Sequence, residues 1–322
     1  MILVVVEHEG GAPDRLSNEA FTLGRSLAAA TGSPLHAVAW GQGAPELAGP
    51  LATSGAAVLH TIDDPRLADH APEAIGLSIA QLIDRDRPIA VIGTGSERGA
   101  EVMAHVAART ALPLAANVTE VRPGEPWEIT RQRWGGSLLE EARLEGPIRL
   151  FTVAPHAVEP TTAPSPAPVA VQPFVPQLTD RDLRVKVTSR VPAEAGKISL
   201  ADARVVVGGG RGVGSAEGFA ELDELAALLG GTVGVSRVVT SAGWRPHAQQ
   251  VGQTGTRIAP DLYIACGISG AIQHMVGARS AKAILAINTD RDAPMVTRAT
   301  YAVIGDLHAV LPAIIAAVRT AR

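Results

Sequence analysis

The chain has 322 residues and a formal net charge of −4, and 46% of its residues are hydrophobic although only 3% are aromatic. This length favours two domains, and cores with so few aromatic side chains must be built from Ala, Val, Leu and Ile, which suits parallel sheets covered by Ala-rich helices. The charge excludes a polybasic surface for nucleic acid, and the single cysteine, Cys266, excludes an intrachain disulfide or a Cys-rich metal site.

The N-terminal run predicts a first strand and no targeting segment. Residues 1–6 are apolar, but the chain turns polar at Glu7 and no basic residue precedes the run, which is too short for a signal peptide. No segment reaches the ~18 consecutive apolar residues that a membrane helix needs. We therefore expect a cytoplasmic protein that does not insert into a membrane, and one cysteine is consistent with a reducing compartment.

The first half of the chain alternates short apolar runs with longer Ala-rich segments, which is typical of βαβ units and a parallel sheet. The predicted strands are Ile2–Val6, Leu35–Trp40 and Ile89–Ile92, and the predicted helices are Asn18–Thr31, Glu73–Asp84 and Glu97–Thr110. From Leu114 onward four short strands follow without a helix between them: Ala115–Val121, Glu128–Trp134, Ser137–Arg143 and Ile148–Val153. Antiparallel hairpins or a meander are therefore expected to finish this domain.

Two breaks divide the chain. Seven prolines lie between Pro155 and Pro176, and because proline cannot donate to a β-ladder, this segment predicts an extended connector. Leu183–Val187 alternates apolar and charged residues like an exposed edge strand, and Pro192–Lys197 is the second break. The predicted domains are residues 1–192, an α/β domain that ends in short strands and the Pro-rich connector, and residues 193–322.

The second domain begins a new cycle of strands and helices. Strands are predicted at Ala203–Val207, Thr232–Val235, Leu262–Cys266, Ala283–Ile287 and Tyr301–Ile304, and helices at Glu217–Leu229 and Leu307–Arg319. The fold class is therefore α/β with two domains, each with a mostly parallel sheet flanked by helices, and the C-terminal domain is doubly wound.

A glycine-rich turn follows the first strand of this domain. Residues 208–212 read Gly-Gly-Gly-Arg-Gly, and such glycines let backbone N–H groups approach an anion at a helix start. The dinucleotide fingerprint is incomplete, because Val213 or Ser215 stands where the third glycine belongs. Arg211 inside the run suggests a side chain that reaches over a ligand, and spacing alone favours nucleotide binding slightly over a plain tight turn, which stays open.

Uncharged polar groups and one arginine follow the next strand. Ser236 and Arg237 come directly after Thr232–Val235, and an arginine there lies either at the ligand edge of the sheet or on the solvated surface. The segment Gln250-Val251-Gly252-Gln253-Thr254-Gly255 offers amide and hydroxyl groups that suit either a neutral ring edge or a simple polar turn.

A second glycine turn follows Leu262–Cys266 and leads into a helix-like segment. It reads Gly267-Ile268-Ser269-Gly270-Ala271-Ile272-Gln273-His274. His274 either donates to a ring carbonyl or is an ordinary surface histidine. Asn288 ends a strand, and Asp306 before Leu307 is either an N-cap or a ribose ligand. Because turns after consecutive parallel strands converge at one sheet edge, these segments together predict one extended nucleotide site.

These segments resemble the alpha subunit of electron transfer flavoproteins. The runs 250–255 and 267–274 are the specific features, and the resemblance is strong from about Ala203 to Ile315 and weaker in the first half. It implies an FAD-binding electron carrier rather than a substrate-converting enzyme. It also implies a heterodimer with a beta subunit that carries AMP or a second nucleotide. Further implied partners are acyl-CoA or other dehydrogenases as donors and a membrane-associated quinone oxidoreductase as acceptor, as in fatty acid β-oxidation.

The resemblance also implies residue roles. Arg211 reaches the cofactor, Ser236 and Arg237 lie against the flavin ring, and Thr254 approaches N5 beside Gln253. Residues 269–274 bind pyrophosphate and ring, with His274 at O2, while Asn288 and Asp306 hold the adenosine end. The implied cofactor-binding set is Arg211, Ser236, Arg237, Gln250, Val251, Gly252, Gln253, Thr254, Ser269, Gly270, Ala271, Ile272, Gln273, His274, Asn288, Asp306 and Leu307. One departure is Thr256-Arg257, where the family has a lysine directly after Thr-Gly: either Arg257 replaces that charge one position later or the contact is lost.

Two rival hypotheses stay open at this point. A stand-alone FAD- or NAD-dependent oxidoreductase acting on a small molecule would need a catalytic acid or base near the flavin, and the sequence shows no such pair. A nucleotide-binding regulatory module would need no redox cofactor. A positive Arg237 and a donating His274 near the ring would instead stabilise negative charge on it, which suits a carrier of single electrons.

Overall fold

A computed structural model describes residues 1–189 and 198–321. The chain divides into two compact units, Met1–Val191 and Pro192–Arg322. The predicted break Pro192–Lys197 and the predicted boundary between residues 192 and 193 lie outside the described residues, so the boundary itself stays a prediction. No helix in the described ranges is long and apolar enough to cross a membrane.

Residues 1–189 build a nine-stranded sheet and three α-helices. In chain order they are β1 Ile2–Val5, α1 Arg15–Thr31, β2 Leu35–Trp40, β3 Val58–Ile62, α2 Pro72–Asp86, β4 Ala90–Thr94, α3 Glu97–Thr110, β5 Leu114–Arg122, β6 Trp127–Arg133, β7 Leu138–Leu144, β8 Arg149–Val153 and β9 Ala170–Phe174. A two-residue ribbon pairs His8–Glu9 with Ala12–Pro13, and short 3₁₀ helices lie at Pro45–Ala48, Pro50–Thr53, Pro65–Leu67, Trp134–Gly136 and Asp180–Leu183.

The first sheet has the order β9-β3-β2-β1-β4-β8-β5-β6-β7. All neighbours are parallel except the β5–β6 and β6–β7 pairs. The central strand β1 is buried on both faces: Ile2 and Val4 pack in the layer that contains α1, and Leu3 and Val5 pack in the layer of α2 and α3. Burial on both faces explains why this strand is a continuous apolar run rather than an alternating one.

Several predictions for the first unit are wrong in part. Val58–Ile62 is a strand that the sequence analysis missed. Ala170–Phe174, inside the predicted connector, pairs with it as the edge strand β9. Pro173 is tolerated there because an edge strand leaves one side unpaired. Leu183–Val187 is not a strand, because a 3₁₀ helix ends at Leu183 and residues 184–187 form a bend and irregular structure.

The predicted antiparallel ending is confirmed for β5, β6 and β7 only. Strand β8 instead inserts between β4 and β5 and is parallel to both. All five of its residues are buried, which suits a position inside a sheet covered on both faces.

Residues 198–321 build a five-stranded sheet. In chain order the elements are β10 Val205–Gly209, α4 Ala220–Leu228, β11 Thr232–Val235, α5 Arg237–Ser241, β12 Leu262–Cys266, α6 Ile272–Ala278, β13 Ala283–Asn288, α7 Pro294–Thr297, β14 Tyr301–Ile304 and α8 Leu307–Thr320. Short 3₁₀ helices lie at Arg211–Val213, Glu217–Phe219 and His247–Gln249, so the predicted helix Glu217–Leu229 is a 3₁₀ turn followed by α4.

The second sheet is parallel throughout, with the order β11-β10-β12-β13-β14. The chain leaves β10 in one direction to form β11 and returns to the other side of β10 to form β12, which places a topological switch point between β10 and β12. Val207, Ile264 and Ile287 pack in the layer of α4 and α8, while Val206 and Ala286 pack in the layer of α6. The predicted α/β fold class, with parallel sheets flanked by helices, is confirmed.

A pair of histidines joins β2 and β3 in the first unit. Nδ1 of His36 lies 3.1 Å from Nε2 of His60, whose side chain is only 2% exposed. Burial lowers the pKa of His60 to about 4, because the charged form is poorly solvated, although Asp86 acts in the opposite direction.

We predict that this pair makes the first unit sensitive to acid. The pKa of His60 in the fold is below the ordinary value of 6.5, so its contribution to stability is fully present above pH 6.5 and is lost as the pH falls towards 4. The loss should be about 3 kcal/mol once the pH is below 4. Denaturant unfolding across this pH range should show a shallower pH dependence in His60→Gln than in the wild type. The control is His308→Gln, at an exposed position, and equal slopes in all three proteins would contradict the prediction.

Candidate functional site

A cleft of about 700 Å³ lies at the carboxyl ends of the second sheet. The segments that follow β10, β11, β12, β13 and β14 all contribute to its lining, together with residues 250–254. Ligands of open α/β sheets bind outside the carboxyl ends of the strands, at the switch point, and this volume is in the usual range for a small molecule or cofactor. The predicted convergence of the polar turns is therefore confirmed.

Most of the residues predicted for the site line this cleft, and two do not. Gly270 is buried against Met295, and Ile272 is exposed at the start of α6. The predicted residues in the lining are Arg211, Ser236, Arg237, Gln250, Val251, Gly252, Gln253, Thr254, Ser269, Ala271, Gln273, His274, Asn288, Asp306 and Leu307. Arg257, which stands near the family's missing lysine, is not among the lining residues of the described chain.

Further residues of the lining were not in the predicted set, although Gly212, Gly267 and Ile268 belong to the motifs described above. They are Gly212, Val238, Ser241, Gly267, Ile268, Thr289, Asp290, Ala293 and Gly305. Most are direct neighbours of predicted residues in the same strand-end turns. Ser241 could have been found from helical spacing, because it lies four residues after Arg237 and so on the same side of α5.

Backbone contacts hold the 250–254 loop on helix α6. The N–H of Gln253 donates to the carbonyl of Gln273 at 2.8 Å. Gly252 has φ 142°, and a Cβ at this position would lie 2.9 Å from the same carbonyl oxygen. Only glycine has both the conformation and the space for this approach, so the glycine sets how closely the loop packs on the helix.

Gln250 joins this loop to helix α5. Its side chain is 2% exposed, accepts a hydrogen bond from the Thr240 hydroxyl at 2.7 Å and donates to the Thr254 hydroxyl at 3.0 Å. Both ends of the amide are thus hydrogen-bonded within the protein. These bonds hold the side chain of Thr254 in a fixed orientation at the cleft.

His274 is buried at the cleft, with 6% of its surface exposed, so the surface-histidine alternative is wrong. Its Nε2 lies 2.8 Å from the hydroxyl of Tyr263, and its Nδ1 has no hydrogen-bond partner. Burial lowers the pKa of His274 to about 4, and a contact with the Val251 carbonyl opposes this shift without reaching hydrogen-bond geometry. The imidazole is therefore neutral near pH 7.

Asn288 and Asp306 order two further turns at the cleft. The amide of Asn288 donates to the Ile268 carbonyl at 3.1 Å, and its oxygen accepts from the N–H of Asp290 at 3.0 Å. One carboxylate oxygen of Asp306 accepts from the N–H of His308 at 3.0 Å, which confirms Asp306 as the N-cap of α8. Since a carboxylate accepts several hydrogen bonds, the cap leaves it free to bind a sugar hydroxyl as well.

The lining combines both signs of charge. Arg211 and Arg237 are exposed at the starts of the helices that follow β10 and β11, and Asp290 and Asp306 follow β13 and β14. No group of histidine, cysteine, aspartate and glutamate side chains in residues 1–189 and 198–321 is arranged to hold a metal ion. The cleft therefore offers separate positive and negative ends to an organic ligand.

The carboxyl edge of the first sheet is less suited to an anion. Glu7 follows β1 and accepts hydrogen bonds from the hydroxyls of Ser96, at 2.6 Å, and Thr94. Ser96 is the N-cap of α3, so a carboxylate of the protein itself already lies where a helix start would attract a phosphate. The cavity there is also lined by Glu9, Glu46 and Asp69.

Comparison with known proteins finds two family models that match parts of this chain. Residues 2–176 match the model of the electron transfer flavoprotein domain, and residues 199–279 match that of the electron transfer flavoprotein FAD-binding domain. The chain is 33% identical to the electron transfer flavoprotein subunit alpha of Thermoanaerobacterium thermosaccharolyticum, with 98% of this chain and 96% of that protein covered. It is 37% identical to that of Mycobacterium leprae, with 96% and 95% covered.

The chain belongs to the electron transfer flavoprotein alpha-subunit family. A third relative, the alpha subunit of Bacillus subtilis, is 32% identical over 97% of this chain and 95% of its own length. The family resemblance given by residues 250–255 and 267–274 is thereby confirmed, as is the prediction of a redox carrier rather than a substrate-converting enzyme. Membership of an alpha-subunit family also implies a heterodimer with a beta subunit.

We predict that Gln250 stabilises the loop even without a ligand. Gln250→Leu keeps the volume but removes both hydrogen bonds, so amides of residues 251–256 should exchange hydrogen about tenfold faster. The matched control is Gln249→Leu, because Oε1 of Gln249 has no hydrogen-bond partner. Mass-spectrometric hydrogen exchange measures the difference, and equal protection in the two variants would show that the bridge contributes nothing.

Proposed function

We propose that this chain binds FAD in the cleft of its second sheet and carries electrons as one subunit of a heterodimer. The observation that carries the proposal is the convergence of five strand-end turns on one cleft, with the buried, unpartnered Nδ1 of His274 beside it. Buried polar atoms are rarely left without a partner, so such an atom at a cleft suggests a ligand. The matched FAD-binding domain, residues 199–279, spans β10 to α6 of the same unit.

The residues of the cleft fit the parts of a flavin dinucleotide. Arg211 supplies positive charge where a pyrophosphate or an electron-rich ring would bind. The backbone and amide groups of residues 252–254 suit the hydrogen-bonding edge of a neutral ring, and the carboxylate of Asp306 suits a ribose hydroxyl. Ser236, Arg237, Gln253, Thr254, Ser269, Gln273, His274 and Asn288 complete the set proposed to hold the cofactor.

FAD held by these residues would supply the redox chemistry of the site, which is the transfer of single electrons. The chain's own residues would then set how favourable the reduced forms are. The guanidinium of Arg237 stabilises negative charge, and His274 contributes a hydrogen bond from a neutral ring. Neither residue needs to transfer a proton, so the site requires no general acid or base.

We propose the following partners from the family. The beta subunit carries AMP or a second nucleotide, acyl-CoA or other dehydrogenases donate electrons, and a membrane-associated quinone oxidoreductase accepts them. We further propose that the protein is cytoplasmic and acts in an electron transport step of the kind used in fatty acid β-oxidation. Residues 193–322 are the proposed FAD-binding domain, and residues 1–192 the proposed N-terminal domain.

The first test is flavin binding by the coexpressed pair. We predict that the pair is yellow and binds about one FAD through this chain, and that Gly252→Ala weakens that binding at least about tenfold because the loop can no longer pack on α6. Gly230→Ala is the control, because Gly230 also has positive φ (65°) but no atom near its missing Cβ. Absorbance and flavin fluorescence measure both. A colourless pair that takes up no FAD would contradict the proposal.

The second test concerns Arg237, the first residue of α5. We predict that Arg237→Ala lowers the reduction potential of the bound flavin with only a modest loss of FAD. A partly desolvated cation near the ring favours its anionic forms by ~1–3 kcal/mol. For one electron about 59 mV corresponds to a tenfold change, so a shift on the order of 50–100 mV is expected.

Spectroelectrochemistry should place Arg237→Lys between the wild type and Arg237→Ala, because charge is kept while the planar fork is lost. Arg204→Ala is the control: Arg204 precedes β10 at the opposite edge of the sheet and pairs with Asp261 at 2.7 Å. If Arg237→Ala and Arg204→Ala have the same potential as the wild type, Arg237 is a solvated arginine far from the ring.

A further inference from the structure

Tyr263 lies behind the cleft on β12 and is fully buried. It is not one of the cleft-lining residues, but its hydroxyl is 2.8 Å from Nε2 of His274, and the two rings stack with centroids 6.1 Å apart. Burial raises the pKa of Tyr263, so the hydroxyl keeps its proton. The buried hydroxyl of Tyr263 therefore contacts one specific residue of the site, His274.

The neighbouring strand is built to make room for this tyrosine. Gly208 of β10 lies beside Ala265 of β12 in the sheet register. A Cβ on Gly208 would lie 2.4 Å from the Tyr263 hydroxyl. Glycine inside a strand weakens it and often marks a close approach of other atoms. The glycine at position 208 is thus better explained by the space that Tyr263 needs than by a role in phosphate binding.

The protons that the two groups carry determine which of them donates in the hydrogen bond between Tyr263 and His274. The Tyr263 hydroxyl has one proton, and Nε2 of His274 is its hydrogen-bond partner in the described structure. If Nε2 donated instead, the buried hydroxyl proton would have no acceptor, which is costly. Nε2 therefore accepts, and the one proton of a neutral imidazole must lie on Nδ1.

We propose that Tyr263 is a positioning residue that holds His274 in the tautomer with its proton on Nδ1, so that the site has a neutral N–H donor of fixed orientation. Nδ1 is buried and has no hydrogen-bond partner in the described structure, since Nε2 is used by the tyrosine. Although the Val251 carbonyl also contacts the ring, the Nδ1 proton is the one that the imidazole can offer to a bound group. That the group is an electron-rich carbonyl of FAD rests on the proposed function. Such a donor favours the reduced ring, because reduction makes the carbonyl more negative.

The experiment is ¹⁵N NMR of the coexpressed pair with labelled histidine, with the His274 signals assigned by His274→Gln. In the wild type we expect a protonated Nδ1 and an unprotonated Nε2 that accepts a hydrogen bond. Tyr263→Phe removes only the hydroxyl, so the two tautomers should mix. The same variant should keep FAD but lose about a factor of ten in its preference for the reduced flavin, which is about 30 mV for a two-electron couple.

The matched control is Tyr301→Phe, because Tyr301 is 67% exposed on β14. The proposal is overturned if the imidazole proton of His274 lies on Nε2 in the wild type. It is also overturned if Tyr263→Phe and Tyr301→Phe have the same His274 tautomer and the same flavin reduction potential. Should Tyr263→Phe fail to fold, the wild-type spectrum alone decides the tautomer. A wild-type pair that binds no FAD would contradict the proposed function, whereas its His274 spectrum would still test the role of Tyr263.

Discussion

The parallel pairing of the five strands in the second sheet is the constraint on which the site depends. Because β10 to β14 all run in one direction, the polar turns that follow them reach the same edge. Segments that are far apart in sequence, such as Arg211 and Asp306, thereby line one cleft. The convergence of these turns at one edge gives the site the extent that a nucleotide needs.

Buried and half-buried polar side chains at the cleft convert this topology into fixed geometry. Gln250 connects α5 to the 250–254 loop, Asn288 connects the turns after β12 and β13, and Tyr263 fixes the ring of His274. The side chains of Gln250, Asn288 and Tyr263 each have a hydrogen-bond partner in the protein, and such networks restrict the positions of the groups that they support. The residues that face a ligand are thus oriented before it binds.

Strands and helices with strong local patterns could be predicted from the sequence: Leu35–Trp40, Glu97–Thr110 and Leu262–Cys266 have the bounds that the sequence indicates. The missed strand Val58–Ile62 contains two buried polar residues, His60 and Thr61, and His60 finds its hydrogen-bond partner on another strand, so the strand has no local apolar signal. Ala170–Phe174 could not be predicted as a strand for a different reason. Its proline is acceptable only at a sheet edge, and the position of a strand within the sheet is not visible in the local sequence. The site residues were found through motif order, but the burial of His274 and its link to Tyr263 are consequences of tertiary packing.

The most direct measurement for the central claim is an experimental structure of the coexpressed pair prepared with FAD. We expect density for FAD in the cleft of this chain. The flavin ring should lie between the 250–254 loop and the segment 269–274, and the adenosine end should lie towards Asn288 and Asp306. Flavin density only in the partner subunit, or at the carboxyl edge of the first sheet beside Glu7, would contradict it.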